Sequence, residues 1–327
     1  MKVGLVLGKF MPPHRGHQQL IRFARRWVDR LYVVVESVKG EVIPCSQRYH
    51  WMQQLFPDCV VLLLTTHQPQ EPSEHPAFWQ IWKQTLRGFL PESIDFVFAS
   101  EPYGTPLADI LDARFIPVDI ARQSVHISAT RIRSQPHVYW DRIPSVVQHY
   151  FRKKISVFGP ESTGKTTLTK KLAAHFSGSL VPEYARGYLE AQNGSIGYED
   201  MYNIARGQSI LEELTEQDAK PFLFCDTDPL ATKIWSQFLY DRCDPKIIEI
   251  AQKHCYHCTL LLDVDVPWVA DEVRYLPTKG KAFFAACRAE LSTAKRQFII
   301  IRGSWDERWQ QAKKAVEELP LVLPEYR

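Results

Sequence analysis

Short, largely apolar runs of three to five residues recur along the chain, separated by stretches whose apolar positions return every three or four residues. In the first half the runs are Val3–Leu7, Leu31–Val35, Val60–Leu64, Phe96–Ala99 and Phe115–Val118. In the second half they are Ile155–Phe158, Ser179–Val181, Phe222–Cys225, Thr259–Leu262 and Phe298–Ile301. Leu20, Phe23, Ala24, Trp27 and Val28 recur at helical spacing between the first two runs and predict a helix covering one sheet face. Helices are predicted over Thr166–Phe176, Glu199–Gln217, Leu230–Tyr240, Lys281–Lys295 and Glu307–Leu319. Strands alternating with helices predict an α/β fold with parallel sheets, one in each half.

The 327 residues suit two domains of ordinary size. The pattern divides them into residues 1–135, a connector over 136–153, and residues 154–327. Pro136 and Pro144 flank an aromatic stretch in that connector, which lacks the Gly/Ser runs of a flexible linker. Hydrophobic residues at 45% and charged residues at 24% are the balance of a folded protein, and a net charge of +3 gives no bulk attraction for nucleic acid. No apolar stretch reaches the ~20 residues of a membrane span, so a cytoplasmic protein is expected. The seven cysteines are scattered and do not suggest a disulfide framework. His254-Cys255-Tyr256-His257-Cys258 offers four zinc-type ligands, but so tightly spaced that a helix end running into a strand accounts for it better.

Two segments carry chemistry. The first, Gly8-Lys9-Phe10-Met11-Pro12-Pro13-His14-Arg15-Gly16-His17, follows the first apolar run and opens the first helix. A helix N-terminus attracts phosphate through unpaired N–H groups. His14 and His17, three residues apart, lie on one side of its first turn and can donate hydrogen bonds to a departing pyrophosphate. Gly16 is expected to let phosphates approach the backbone. More than a hundred residues on, Ile127-Ser128-Ala129-Thr130-Arg131-Ile132-Arg133 opens another helix with hydroxyls and arginines, a second anion grip. Together these strings resemble the H-x-G-H nucleotidyltransferase superfamily. That resemblance implies a Rossmann-like fold, a need for Mg²⁺, and attack of a substrate phosphate on the α-phosphate of ATP. It places Gly8, Lys9, Phe10, Gly16, Ser128 and Thr130 at ATP, with His14, His17 and Arg133 in the catalytic set.

The second segment is a complete P-loop, Gly159-Pro160-Glu161-Ser162-Thr163-Gly164-Lys165-Thr166, between a strand and a helix. Its backbone N–H groups wrap a β-phosphate, Lys165 bridges β and γ, and the Thr166 hydroxyl ligates Mg²⁺. Chance matches arise about once in a hundred chains of this length. Glu161, Ser162, Thr163 and Thr167 complete the expected ATP contacts. Glu183 and Arg186 follow the second strand, where small-molecule kinases hold an acid near the acceptor hydroxyl. Asp226 and Asp228 end the third strand, where a carboxylate near Mg²⁺ is usual. Trp268–Arg274 resembles a lid with Arg274 closing on the phosphoryl group. Each has a structural alternative: a surface ion pair, a helix cap, a solvated arginine.

From Gly4 to Arg308 the chain resembles the NadR-type bifunctional proteins of NAD salvage. Further strings carrying this are Ile43–Met52, Ser100–Gly104, Asp226–Trp235 and Asp265–Arg274. The resemblance implies an NMN adenylyltransferase joined to a P-loop ribosylnicotinamide kinase, with ATP, NMN, nicotinamide riboside and NAD as ligands. A pyridinium ring favours aromatic faces, for which Trp79 and Trp82 are candidates in the first site and Trp235 and Trp268 in the second. Some family members carry an N-terminal helix-turn-helix. Here the first strand begins at residue 3, so DNA binding is not expected. Glu272 stands where the family often has Gly. A homo-oligomer is left open. The rival readings are a coenzyme A-type adenylyltransferase/kinase fusion and a NAD/ATP-sensing regulatory protein.

Overall fold

The computed structural model describes residues 1–121, 126–267 and 279–320. It divides into two compact units, Met1–Tyr150 and Phe151–Arg327.

In the first unit the strands are β1 (Val3–Gly8), β2 (Arg30–Glu36), β3 (Val60–Leu64), β4 (Phe96–Ala99) and β5 (Arg114–Pro117). They form one all-parallel sheet in the order β3-β2-β1-β4-β5. The helices are α1 (Arg15–Trp27), α2 (Cys45–Leu55), α3 (Phe78–Phe89), α4 (Gly104–Ile110), α5 (Ala129–Ser134) and α6 (Ser145–Phe151). Successive strand residues point to opposite faces. Val3, Leu5 and Leu7 accordingly pack with Trp82 and Leu86 of α3 and Leu107 of α4. Val6, Val33 and Val35 pack with Ile21 and Ala24 of α1 and Met52 of α2. Near the end of this unit, Tyr150 of α6 meets the Trp51 ring edge-on at 5.3 Å.

The second unit repeats the plan with another order. Its strands are β6 (Lys153–Phe158), β7 (Ser179–Val181), β8 (Phe222–Asp226), β9 (Cys258–Leu262) and β10 (Phe298–Ile301). All pair in parallel as β10-β9-β6-β8-β7. Around them lie α7 (Lys165–His175), α8 (Tyr184–Ala191), α9 (Tyr198–Gln217), α10 (Pro229–Tyr240), α11 (Pro245–Lys253), α12 (Gly280–Thr293) and α13 (Trp305–Glu317). Ile155, Val157 and Leu260 face α7 and α13, while Phe158 and Leu261 face α10 and α12. In each sheet the strand preceding a phosphate loop sits centrally, with the neighbouring strands leading to opposite sides. Open parallel sheets form their ligand crevice at that reversal, beyond the carboxyl ends of the strands. Among the described residues, no helix is long and apolar enough to cross a membrane.

At the amino ends of the central strands of the second sheet lies a buried ionic cluster. Glu212 of α9 has no solvent exposure (0%). It pairs with Lys154, lies 2.7 Å from His254 Nδ1 and accepts from the Tyr256 hydroxyl at 2.7 Å. Burial alone would raise the Glu212 carboxyl, but His254 and Lys154 hold it below the usual range. Glu212→Ala would leave those partners facing an empty buried site. It is expected to destabilise the protein by ~3–5 kcal/mol in urea unfolding; a loss below ~1 kcal/mol would count against the cluster as a stabilising unit.

His257 beside it is also buried, and its Nδ1 accepts from Lys154 N–H at 3.1 Å. Its Nε2 has no partner among the described residues. Burial, reinforced by Lys153 and Lys154, pushes the imidazole down from 6.5 to about 4. Between those values the unfolded chain binds the extra proton and the folded chain does not. Stability therefore falls as pH drops from 6.5 towards 4 and is fully present above 6.5. The difference amounts to about 3 kcal/mol. His257→Asn keeps the acceptor without the titration, so its unfolding free energy should show a shallower pH slope in that window.

Candidate functional sites

In the first unit, all the expected contact residues line one cleft of about 1090 Å³: Gly8, Lys9, Phe10, His14, Gly16, His17, Trp79, Trp82, Ser128, Thr130 and Arg133. Its centre is the turn from β1 into α1. His14 is the N-cap of α1, its Nδ1 accepting from Gly16 N–H at 3.1 Å and His17 N–H at 3.4 Å. That sets the imidazole proton on Nε2, where it can serve a ligand. The His17 ring stacks on His14 at 3.7 Å and meets Phe10 edge-on at 5.0 Å. The space beside Gly16 is taken by His14: a Cβ there would lie 3.0 Å from the ring. Gly16 thus makes room for the His14 ring.

Ser128 caps α5 by accepting from Arg131 N–H at 3.3 Å. Arg133 donates to Met11 O at 2.5 Å and to Thr130 Oγ1 at 3.3 Å, tying the second anion grip to the first loop. Trp82 is mostly core, and its Nε1 donates to Pro69 O at 3.0 Å. Trp79 is half-buried at the same wall.

The second unit has a smaller chamber of about 380 Å³, lined by Glu161, Ser162, Gly164, Lys165, Thr166, Thr167, Glu183, Arg186 and Trp235. Gly159 takes φ +135°, and a Cβ there would lie 2.8 Å from Leu262 O. Gly164 is left-handed and caps α7, with Trp305 packed where a Cβ would point. The Lys165 ammonium bonds Pro160 O at 2.9 Å, and Thr163 Oγ1 bonds the same oxygen at 2.8 Å, so both lock the loop's curve. Asp226 is buried against Thr166, and its Oδ1 has no hydrogen-bond partner among the described residues. Burial, followed by the nearby Glu183 charge, raises its carboxyl to about 6 against the opposing pull of Lys165, Thr166 and Arg186. Leu189, Ile196, Met201 and Ile204 give the chamber an apolar wall.

One expected ligand contact is corrected. Asp228 is wholly buried (0% exposed) and does not line the chamber. Its carboxylate caps α10 through Leu230 N–H at 2.8 Å, accepts from Ser156 Oγ at 2.7 Å and pairs with Arg296 at 2.9 Å. Those bonds make it a helix cap rather than a substrate contact. Trp268 and Arg274 lie outside the described residues.

Three positioning residues were not anticipated. Arg48, fully buried, donates to Lys9 O and to Glu36 O, joining the first phosphate loop to the end of β2. Arg308, 1% exposed, does the same in the second unit, donating to Thr163 O and Asp263 O at 2.9 Å each. Gln208 accepts from Tyr184 N–H at 2.8 Å and so fixes the turn that presents Glu183. The signal available was a charged or amide side chain at a position that helical periodicity assigns to the interior.

Comparison with known proteins extends over nearly the whole chain. Residues 154–308 match the family model of an AAA domain. The trifunctional NAD biosynthesis/regulator protein NadR of Salmonella typhimurium is 27% identical over 340 aligned residues, covering 97% of this chain and 83% of that protein. Its Escherichia coli counterpart is 28% identical with the same coverage. A crystal structure of NadR with NAD and AMP-PNP superposes with a TM-score of 0.68 at 23% identity, covering 98% of this chain and 97% of that one. Another, with NR, gives 0.70 at 22% identity over 97% and 96%. The fold is that of the NadR structures, and along 97% of its length the chain is similar to proteins of NAD biosynthesis.

Proposed function

We propose that the protein makes NAD from nicotinamide riboside in two ATP-dependent steps, one in each unit. In the second unit the riboside hydroxyl takes the γ-phosphoryl group of ATP, yielding NMN and ADP. In the first, the NMN phosphate attacks the α-phosphate of a second ATP, yielding NAD and pyrophosphate. The observation that carries this reading is a phosphate loop at the strand reversal of each sheet, each opening onto a cleft with aromatic and carboxylate side chains. The NAD, AMP-PNP and NR held by the superposed NadR proteins support it.

In the kinase chamber, Lys165 balances charge on the transferring phosphoryl group and Glu183 orients the acceptor hydroxyl. Trp235, tilted on Phe283 at 4.2 Å, offers a ring to a pyridinium. A compact chamber with an apolar wall suits a nucleoside better than a long pantetheine arm. The unpartnered Oδ1 of Asp226 beside Thr166 fits a divalent cation, and these two residues would hold Mg²⁺. When bound, that ion neutralises phosphate charge. In the transferase cleft His14 and His17 donate to phosphate oxygens as pyrophosphate departs, while Ser128, Thr130 and Arg133 grip its far end.

The test is one incubation with nicotinamide riboside, ATP and Mg²⁺, resolved by chromatography. NMN and then NAD should accumulate with matching ADP and pyrophosphate. Absence of both nicotinamide products, with dephospho-coenzyme A or another acceptor consumed instead, would overturn the proposal.

A further inference from the structure

The transferase cleft contains a carboxylate that its phosphate chemistry does not use. Glu36 ends β2, is 7% exposed and lines the cleft. Its Oε2 accepts from Gln70 Nε2 at 3.3 Å. Gln70 adjoins Pro69, whose carbonyl holds the Trp82 indole at 3.0 Å, so carboxylate and indole occupy one corner. Along the cleft wall formed after β5 stand Ser128, Thr130 and Arg133. The cleft therefore has an anion-gripping part and an acidic, aromatic part.

Glu36 differs from a structural acid nearby. Glu41 is saturated: it pairs with Arg48 and accepts from Val38 N–H at 3.0 Å and Cys45 N–H at 2.5 Å. The Arg48 guanidinium meets Glu36 only through the backbone carbonyl, at 2.9 Å, while its charge goes to Glu41. Among the described residues Glu36 forms no ion pair. Burial raises its carboxyl above the usual range, with Gln70, Lys9 and Arg48 opposing. A buried carboxylate that forms no ion pair is stabilised further by positive charge brought beside it, and a second carboxylate there is repelled.

We propose that Glu36 sets the choice between pyridine mononucleotides, favouring a cationic ring with an uncharged amide over one bearing a carboxylate. This rests on the reading that the first unit adenylylates a pyridine mononucleotide. The carboxylate attracts the ring's positive charge from the side while Trp79 or Trp82 covers a face. On nicotinic acid mononucleotide, the ring substituent would meet Glu36 as like charge in a cleft of low dielectric.

The experiment compares kcat/KM for NMN and for nicotinic acid mononucleotide in wild type, Glu36→Gln and Glu36→Asp. The wild-type ratio should exceed ~100, a difference of about 3 kcal/mol. Glu36→Gln should lower the ratio at least tenfold, by slowing NMN and speeding the acid. Glu36→Asp, which withdraws the charge by one methylene, should lower it severalfold and serves alone if the glutamine variant does not fold. A wild-type ratio near one, or a ratio unchanged in the variants that fold, overturns the assignment. Wild type that turns over neither mononucleotide overturns the proposed function instead, so the two failures are distinct.

Discussion

Lys165→Ala is expected to abolish riboside phosphorylation while leaving adenylyl transfer intact. The ammonium lies inside the curve of the P-loop, 2.9 Å from Pro160 O, at the first position of α7. In the proposed kinase step it would meet the phosphoryl group leaving ATP, and nothing else lining the chamber from that loop carries positive charge. Loss of such a group should lower kcat by about 10³-fold or more, roughly 4 kcal/mol. Alanine is a good helix former and Lys165 is only half-buried at the helix start, so the fold should persist. Two assays check the outcome, one supplying nicotinamide riboside and ATP, the other NMN and ATP. Parallel loss of both activities would contradict independent sites.

Much of this was legible in the chain because buried parallel strands are nearly continuous apolar runs. All ten strands lie where the runs predict, with ends moved by a residue or so. The phosphate loops were legible because their backbone geometry demands particular residues: Gly159 and Gly164 adopt dihedrals that L side chains rarely take. Short helices were harder. α8 and α11 are eight and nine residues long, too brief for a helical period to emerge. Asp228 failed for another reason. An aspartate directly before Pro-Leu at a strand end is at once a plausible metal or substrate contact and a good helix cap. Only the bonds to Ser156 and Arg296 decide between them. Arg48 and Arg308 escaped notice because a buried guanidinium depends on carbonyls far away in sequence. Arg308 reaches Thr163 across 145 residues.

His17→Ala should give the reverse pattern, with adenylyl transfer lost and riboside phosphorylation retained. The His17 ring is held from two sides, stacked on His14 at 3.7 Å and edge-on to Phe10 at 5.0 Å. Such confinement aims it at the cleft without relying on the ligand. As the bond from the α-phosphate to pyrophosphate breaks, negative charge grows on the departing oxygens, and a positioned donor is worth most at that moment. Removing one donor typically costs 10²–10³ in kcat, about 3–4 kcal/mol. KM for NMN should change less than threefold, because the role proposed for His17 is on the departing pyrophosphate and not on the pyridine ring. His17→Asn keeps an N–H donor and should recover part of the loss. A large rise in KM with kcat unchanged would place His17 in ground-state binding instead. A fall in kinase activity alongside it would remove the separation that Lys165→Ala tests from the other side.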